Sequence, residues 1–171
     1  MVILNTKEFF ALDPYDAMHI SMLQQFEQSN KLDLSFSTEL LNISQNYNRE
    51  QYLKTCTEQN ELNQHFCYCK NNVILGHCIF YIQKDIKTCH ITFTKSQNPI
   101  QNIKLISLAT TYALNTLGME EVFSSTSPTD ATLITYLTNS GYENLGTDDG
   151  LTCFVIEKTQ LATMEKNNGI S

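Results

Sequence analysis

Between His65 and Lys95 apolar residues recur at every second position, while on both sides of that stretch they recur every three or four. The change of period commits the middle of the chain to strands and its flanks to helices that must cover them. HFCYCK and VILGHCIFYIQ flank Asn71-Asn72, a pair that tolerates the positive φ of a two-residue hairpin turn. A second turn near Asp85 leads into KTCHITFTK. With Asn71-Asn72 as the turn, Cys69 is expected opposite Ile74, Cys67 opposite Gly76 and His65 opposite Cys78. The third strand then sets Cys89 opposite Ile82 and Tyr81 opposite His90. This pairing puts Cys67, Cys69, Cys78 and Cys89 on one face with Phe80, Ile91 and Phe93, so they read as small core hydrophobes. None of the six cysteines forms a C-x-x-C pair, and a chain of 171 residues is too long to need disulfide staples.

Upstream, Asp13-Pro14 is the expected start of a first helix bearing Tyr15, Met18, Met22, Leu23 and Phe26 on one face. Thr38 is the expected cap of a second, carrying Leu40, Leu41, Ile43 and Tyr47, and Asn48 with Gln51 marks a capping box where it restarts. Downstream, a long helix is predicted over 100–117, with Ile106, Ala109, Tyr112, Ala113 and Leu117 facing inward and Gly118 ending it. EEVFSST follows as a strand, then a helix opened by Ser127-Pro128 and Asp130 and stopped at Gly141. Two strands around Asp148-Asp149-Gly150 close the chain. The order is β-α-α-β-β-β-α-β-α-β-β, an α/β (α+β) domain with a mixed, mostly antiparallel sheet flanked by helices. No linker or repeat divides it, so residues 1–158 are expected to form one domain and 159–171 a loose tail.

Charged residues make up only 17% of the sequence, against about 25% in ordinary globular chains. Sixteen Asn and eleven Gln fill the gap, while nine Phe and eight Tyr supply core material and argue against disorder. The net charge of −7, with Arg49 the single arginine, argues against a nucleic-acid binder, which needs a basic stripe. An acidic surface suits a cationic substrate instead. The longest apolar run, Val73–Ile82, is about half a membrane span and contains His77, so no membrane association is expected. MVILNTKEFF lacks the features of a secretory signal, which points to the cytoplasm, with export without a cleaved signal as the alternative.

Two passages carry a family likeness. YALNTLGMEEVFSST resembles the helix-to-strand passage of the GNAT N-acetyltransferases, and TYLTNSGYENLG resembles the "LY-x-x-x-GF" ending of their last helix. The order of elements from residue 1 to about 158 is similar to theirs as well. The resemblance implies a V-shaped opening between KTCHITFTK and EEVFSST, where the arm of acetyl-coenzyme A or another acyl-coenzyme A would meet Phe93, Thr94 and Lys95. The pyrophosphate would lie on N–H groups opening the long helix, at Gln97, Ile100, Gln101, Asn102, Ile103 and Lys104. The family's Q/R-x-x-G-x-G/A signature falls on Gln97, Ile100 and Asn102, so both glycines are replaced, and Pro99 brings no N–H. The tyrosine that protonates the leaving thiolate in the family aligns with Leu137, one residue after Tyr136.

Tyr136 is therefore the candidate acid and His90 the candidate base, an imidazole being able to take a proton near neutral pH. No metal is implied. The implied activity is transfer of an acyl group, acetyl above all, to the amine of a small molecule or a protein. The alternative is a GNAT-like domain without catalysis that binds a small molecule or a protein, since function lives in the site rather than the fold.

Overall fold

Thirteen residues from Ala17 to Ser29 form helix α1, and its cap is Asp16, whose carboxylate accepts from the N–H groups of Met18 and His19. Asp13 lies upstream of that start: it closes a turn onto the Tyr15 N–H at 2.9 Å and holds Arg49 at 2.8 Å. Met18, expected inside, is exposed, and Ile20 takes its place in the core. The computed structural model describes residues 8–160, so the expected tail falls outside the described residues from position 161 onward.

Helix α2 spans Ser35–Asn46 and begins before Thr38, which does not cap it. The orphan N–H groups of its first turn go instead to Glu27 on α1, which accepts from Phe36 and Ser37 at 3.1 Å each and is fully buried. A carboxylate from a different helix leaves no local signature. The Asn48–Gln51 capping box does form, and it opens a separate helix α3, Arg49–Glu58, which adds one helix to the expected order.

Among the described residues there are seven strands, β1 (Phe9–Ala11), β2 (Glu61–Lys70), β3 (Val73–Gln83), β4 (Thr88–Phe93), β5 (Glu121–Thr126), β6 (Glu143–Asp148) and β7 (Leu151–Glu157). They form one sheet in the order β1-β2-β3-β4-β5-β7-β6, antiparallel except where β4 and β5 run parallel. Asn71 and Asn72 both have positive φ, as the hairpin turn requires, and Cys69 does face Ile74. A bulge then shifts the register, so that Tyr68 faces Gly76, Cys67 faces His77 and His65 faces Ile79. The expected partners of Cys67 and His65 are each wrong by one residue, and a one-residue slip changes faces.

Cys78 and Cys89 consequently pack with Phe66, Phe80 and Ile91, while Cys67 and Cys69 pack on the opposite side with Ile74, Leu23 and Phe26. The expectation that all four share a face fails, although all four are buried and free. Burial pushes the Cys89 thiol up to about 12 and Cys78 well above the usual thiol range, so both stay uncharged packing groups. Among the described residues no group of three His, Cys, Asp or Glu side chains is placed to hold a metal ion.

Helix α4 (Pro99–Thr111) continues as one wide π turn, Tyr112–Thr116, before Gly118 ends it at φ 71°. Helix α5 is Ala131–Asn139. Leu105 of α4 lies over Gly76, where a Cβ would come within 3.1–3.3 Å of its side chain. Gly76→Ala is thus expected to lift α4 from the sheet and lower stability by about 1–3 kcal/mol in urea melts.

Candidate active site

The parallel pair β4–β5 is hydrogen-bonded only at Thr88–Glu121, Cys89–Val122 and His90–Phe123. Both strands run on, to Phe93 and Thr126, so their last three residues diverge. Where the ladder stops, the Ser124 hydroxyl donates to the Ile91 carbonyl at 3.0 Å, replacing a backbone bond. The result is an opening between the two strands, as the family resemblance implied.

A cleft of about 250 Å³ lies on the β4 side of this opening, between the end of β4, α4 and α5. One wall is Phe93 at the end of β4 with Thr94, Lys95 and Ser96 of the loop that follows, and Leu105 of α4 also lines the cleft. Tyr136 closes the far side from α5, while the adjacent Leu137 turns into the core and is fully buried. The alignment with the family tyrosine had pointed at Leu137; the helix presents Tyr136 to the cleft instead. The Tyr136 hydroxyl has no hydrogen-bond partner among the described residues, so it is free to meet a ligand. Sequence reasoning missed Ser96, Pro99, Leu105, Thr132 and Leu133, which also line the cleft.

An ion contact spans the mouth: Lys95 Nζ lies 2.9 Å from Asp130 Oδ2. Asp130 also caps α5, its Oδ1 accepting from the Leu133 N–H at 3.2 Å. The Lys95 ammonium and then that N–H hold the Asp130 carboxyl below the usual range, against the opposing effect of burial.

At the start of α4 the free donors already have partners. Asn98 Oδ1 accepts from Ile100 and Gln101, and Asn30 Oδ1 accepts from Gln97 at 2.9 Å. Of the loop positions taken from the sequence, Asn102 reaches the cleft and Gln101 borders a neighbouring groove beside α1. Gln97, Ile100, Ile103 and Lys104 line neither, and Ile100 is 75% exposed.

His90 is not brought together with Tyr136. It lines a separate depression with Tyr81, Asn63 and Glu61, and its Nε2 lies 3.2 Å from Ser125 Oγ. Burial lowers its pKa, keeping the ring neutral and thus able to accept a proton.

Comparison with known proteins places this architecture. No protein-family model and no curated protein matches the chain. Solved structures do. N-acetyltransferase PseH of Campylobacter jejuni, in complex with acetyl coenzyme A, superposes with a TM-score of 0.58 at 12% identity, over 88% of this chain and 97% of that one. A variant of the spermidine N-acetyltransferase SpeG of Vibrio cholerae gives 0.63 at 11% identity, over 92% and 98%. The ribosomal-protein-S5-alanine acetyltransferase of Vibrio fischeri gives 0.61 at 8% identity, over 88% and 92%. With a seven-stranded sheet whose single parallel pair splays around a cleft, this chain has the fold of the GNAT N-acetyltransferases.

Proposed function

We propose that the protein is an acyl-coenzyme A-dependent N-acyltransferase, with residues 1–158 as its domain and the cytoplasm as its location. The observation that carries this reading is the splayed β4–β5 pair with Tyr136 presented into the opening. The thioester supplies an activated acyl carbon; the rest falls to the chain. A cleft of about 250 Å³ suits a narrow pantetheine-like arm between Phe93, Thr94 and Lys95, leaving the larger nucleotide end outside. Where the β4–β5 ladder has stopped, backbone N–H groups that face the opening can polarise a carbonyl placed between them. As the amine nitrogen bonds to the acyl carbon and the carbon–sulfur bond breaks, Tyr136 gives its proton to the departing sulfur. His90, on the sheet face away from the cysteine core of α4, is the base assigned from sequence for the acceptor side.

An amine acceptor is supported by the acceptors named for the neighbours, spermidine for SpeG and an alanine for the Vibrio fischeri enzyme. The net charge of −7 favours a cationic one. Acetyl-coenzyme A at 100 times its Kd is expected to stabilise the protein by about 2.7 kcal/mol, read as a rise in Tm. Thiol release with a panel of polyamines and amino-terminal peptides tests the transfer itself. No thermal shift together with no thiol release would overturn the reading.

The start of α4 bears on affinity. Because Asn98 occupies the N–H groups of Ile100 and Gln101, an incoming pyrophosphate must displace it. Asn98→Ala is expected to lower stability by about 1 kcal/mol through the lost cap, yet to tighten acetyl-coenzyme A binding in calorimetry. Weaker binding would place the phosphates elsewhere.

A further inference from the structure

Thr94 faces two ways. It lines the cleft, and its Oγ1 also lies 2.6 Å from Nδ1 of His77 on β3. His77 Nε2 is in turn 2.9 Å from Nδ1 of His65 on β2, and His65 Nε2 is 3.2 Å from Oε2 of Glu39 on α2. Four side chains, from the loop after β4 and from β3, β2 and α2, thus make one line from the cleft to the surface. Its middle is dry: His77 is fully buried and His65 is 5% exposed, whereas the Glu39 side chain is 54% exposed. Phe36 packs on both rings, 4.5 Å from His77 and 5.8 Å from His65, with Phe26 on the other side of His77.

The line has a direction. A neutral imidazole has one donor and one acceptor nitrogen. If both Nδ1 atoms accept, Thr94 donates to His77, His77 to His65, and His65 Nε2–H points at a carboxylate. Every donor then faces away from the cleft. Burial lowers the pKa of both rings, most strongly for His77, so both are neutral at pH 7 as this arrangement needs. Glu27, the other carboxylate close by, is already committed to the N–H groups of Phe36 and Ser37. Cys67 and Cys69 share this face, but burial raises both thiols, so neither competes as a charged acceptor. The contact of His65 Nε2 with Glu39 is short but not aligned as a hydrogen bond, and that nitrogen has no aligned partner among the described residues. The path requires the half-exposed Glu39 side chain to rotate into line with that nitrogen.

We infer that Thr94, His77, His65 and Glu39 form a proton path that carries the acceptor amine's proton from the cleft to the surface beneath α2. The inference rests on the acyl-transfer reading and moves the base from His90, which lines a separate depression, to Thr94 in the cleft. As the amine N–H bond breaks, its proton goes to Thr94 Oγ1 and the Thr94 proton to His77 Nδ1. The Nε2 proton of His77 passes to His65 Nδ1, and that of His65 to Glu39, which releases it to water. Both rings finish as Nδ1–H tautomers. A proton entering from Glu39 and leaving through the open cleft resets them after the product departs. Thr94 alone meets the substrate; His77, His65 and Glu39 act through it.

Nitrogen-15 NMR of the free protein tests the direction without any reaction, and Nε2–H tautomers are expected for both His65 and His77. An Nδ1–H tautomer at either would overturn the path. His77→Gln keeps a hydrogen-bonding side chain that cannot relay, and it should lower kcat about tenfold or more with KM for acetyl-coenzyme A unchanged. Glu39→Gln alters only a surface group, so it keeps the fold and should also lower kcat. In mixtures of light and heavy water the curved, several-proton dependence of kcat should become linear in both variants, which a merely structural role would not produce. Unchanged kcat in both variants, or loss of activity only in His90→Ala, would overturn the path and leave the acyl-transfer reading standing. A wild-type protein with no transfer to any amine would sink that reading whatever the tautomers show.

Discussion

Tyr136→Phe is expected to lower kcat by about 100- to 10,000-fold, the range typical of a lost general acid, with little change in Tm. The ring stays to fill its place between α5 and the cleft, and only a hydroxyl without a partner among the described residues is removed. KM for the acyl donor should hold, because the contribution lost is made in the transition state alone. Leu137→Ala makes the contrast. That side chain is fully buried, so its truncation should cost about 2–5 kcal/mol of stability and leave turnover of the folded fraction intact. A Tyr136→Phe enzyme with normal kcat would return the acid to some other group. His90→Ala separates the base: if His90 takes the amine proton directly, the acid limb of the rate profile disappears in that variant and persists in Tyr136→Phe.

What the sequence disclosed and what it hid follow from the range of the interactions. Periods of two and of three to four are local, and they placed all but one of the elements in order, while the divergence of β4 from β5 was implied by the family resemblance. Asn48 with Gln51 closes its box within four residues, and it formed as expected. Glu27 caps α2 from nine and ten residues before the N–H groups that it serves, on another helix, and no local pattern points to it. Asp13 and Asp16 both resemble caps, and only the packed chain shows which one faces the free N–H groups.

The costliest misreading was the hairpin register. Extending the turn pairing without a bulge sets His77 opposite Phe66 and away from His65. The bulge beside Leu75 moves His77 onto the face of Cys67 and His65, where the two rings meet. A single extra residue thus hid the buried histidine pair. The family passage at Gly141-Tyr142 pointed to within one residue of Tyr136, and the rotation of α5 decides which of Tyr136 and Leu137 borders the cleft. The loss of the loop glycines was equally plain. The physical consequence, an asparagine side chain seated on the free N–H groups, needed coordinates.

The buried histidines carry the second large effect, a steep loss of stability in mild acid. In the unfolded chain each histidine titrates near its ordinary value of about 6.5. In the folded chain His65 and His77 titrate lower, because burial disfavours the charged ring, and for His77 the neighbouring His65 adds to this. Glu39 and Glu27 oppose the shift at His65 without cancelling it. As pH falls below about 6.5, the unfolded state therefore binds protons that the folded state refuses, and stability falls with it. Each refused proton costs about 1.4 kcal/mol per pH unit, so the pair costs nearly twice that until pH passes the folded values. His90, also lowered by burial, acts in the same direction. Set against total stabilities of about 5–15 kcal/mol, one or two pH units remove a large share. The carboxylates Asp13 and Asp130 do not obscure this window. Their folded values are lowered, so the stability they contribute is lost only as pH drops below about 4 toward those values. Urea melts between pH 7.5 and 4.5 should show ΔG flat above pH 7 and falling steeply below 6.5. His77→Gln, less stable at pH 7.5, should show a slope smaller by about 1.4 kcal/mol per pH unit, because one refused proton has been removed. An unchanged slope in that variant would mean that His77 takes up its proton in the folded protein, and the dry, neutral pair would have to be abandoned.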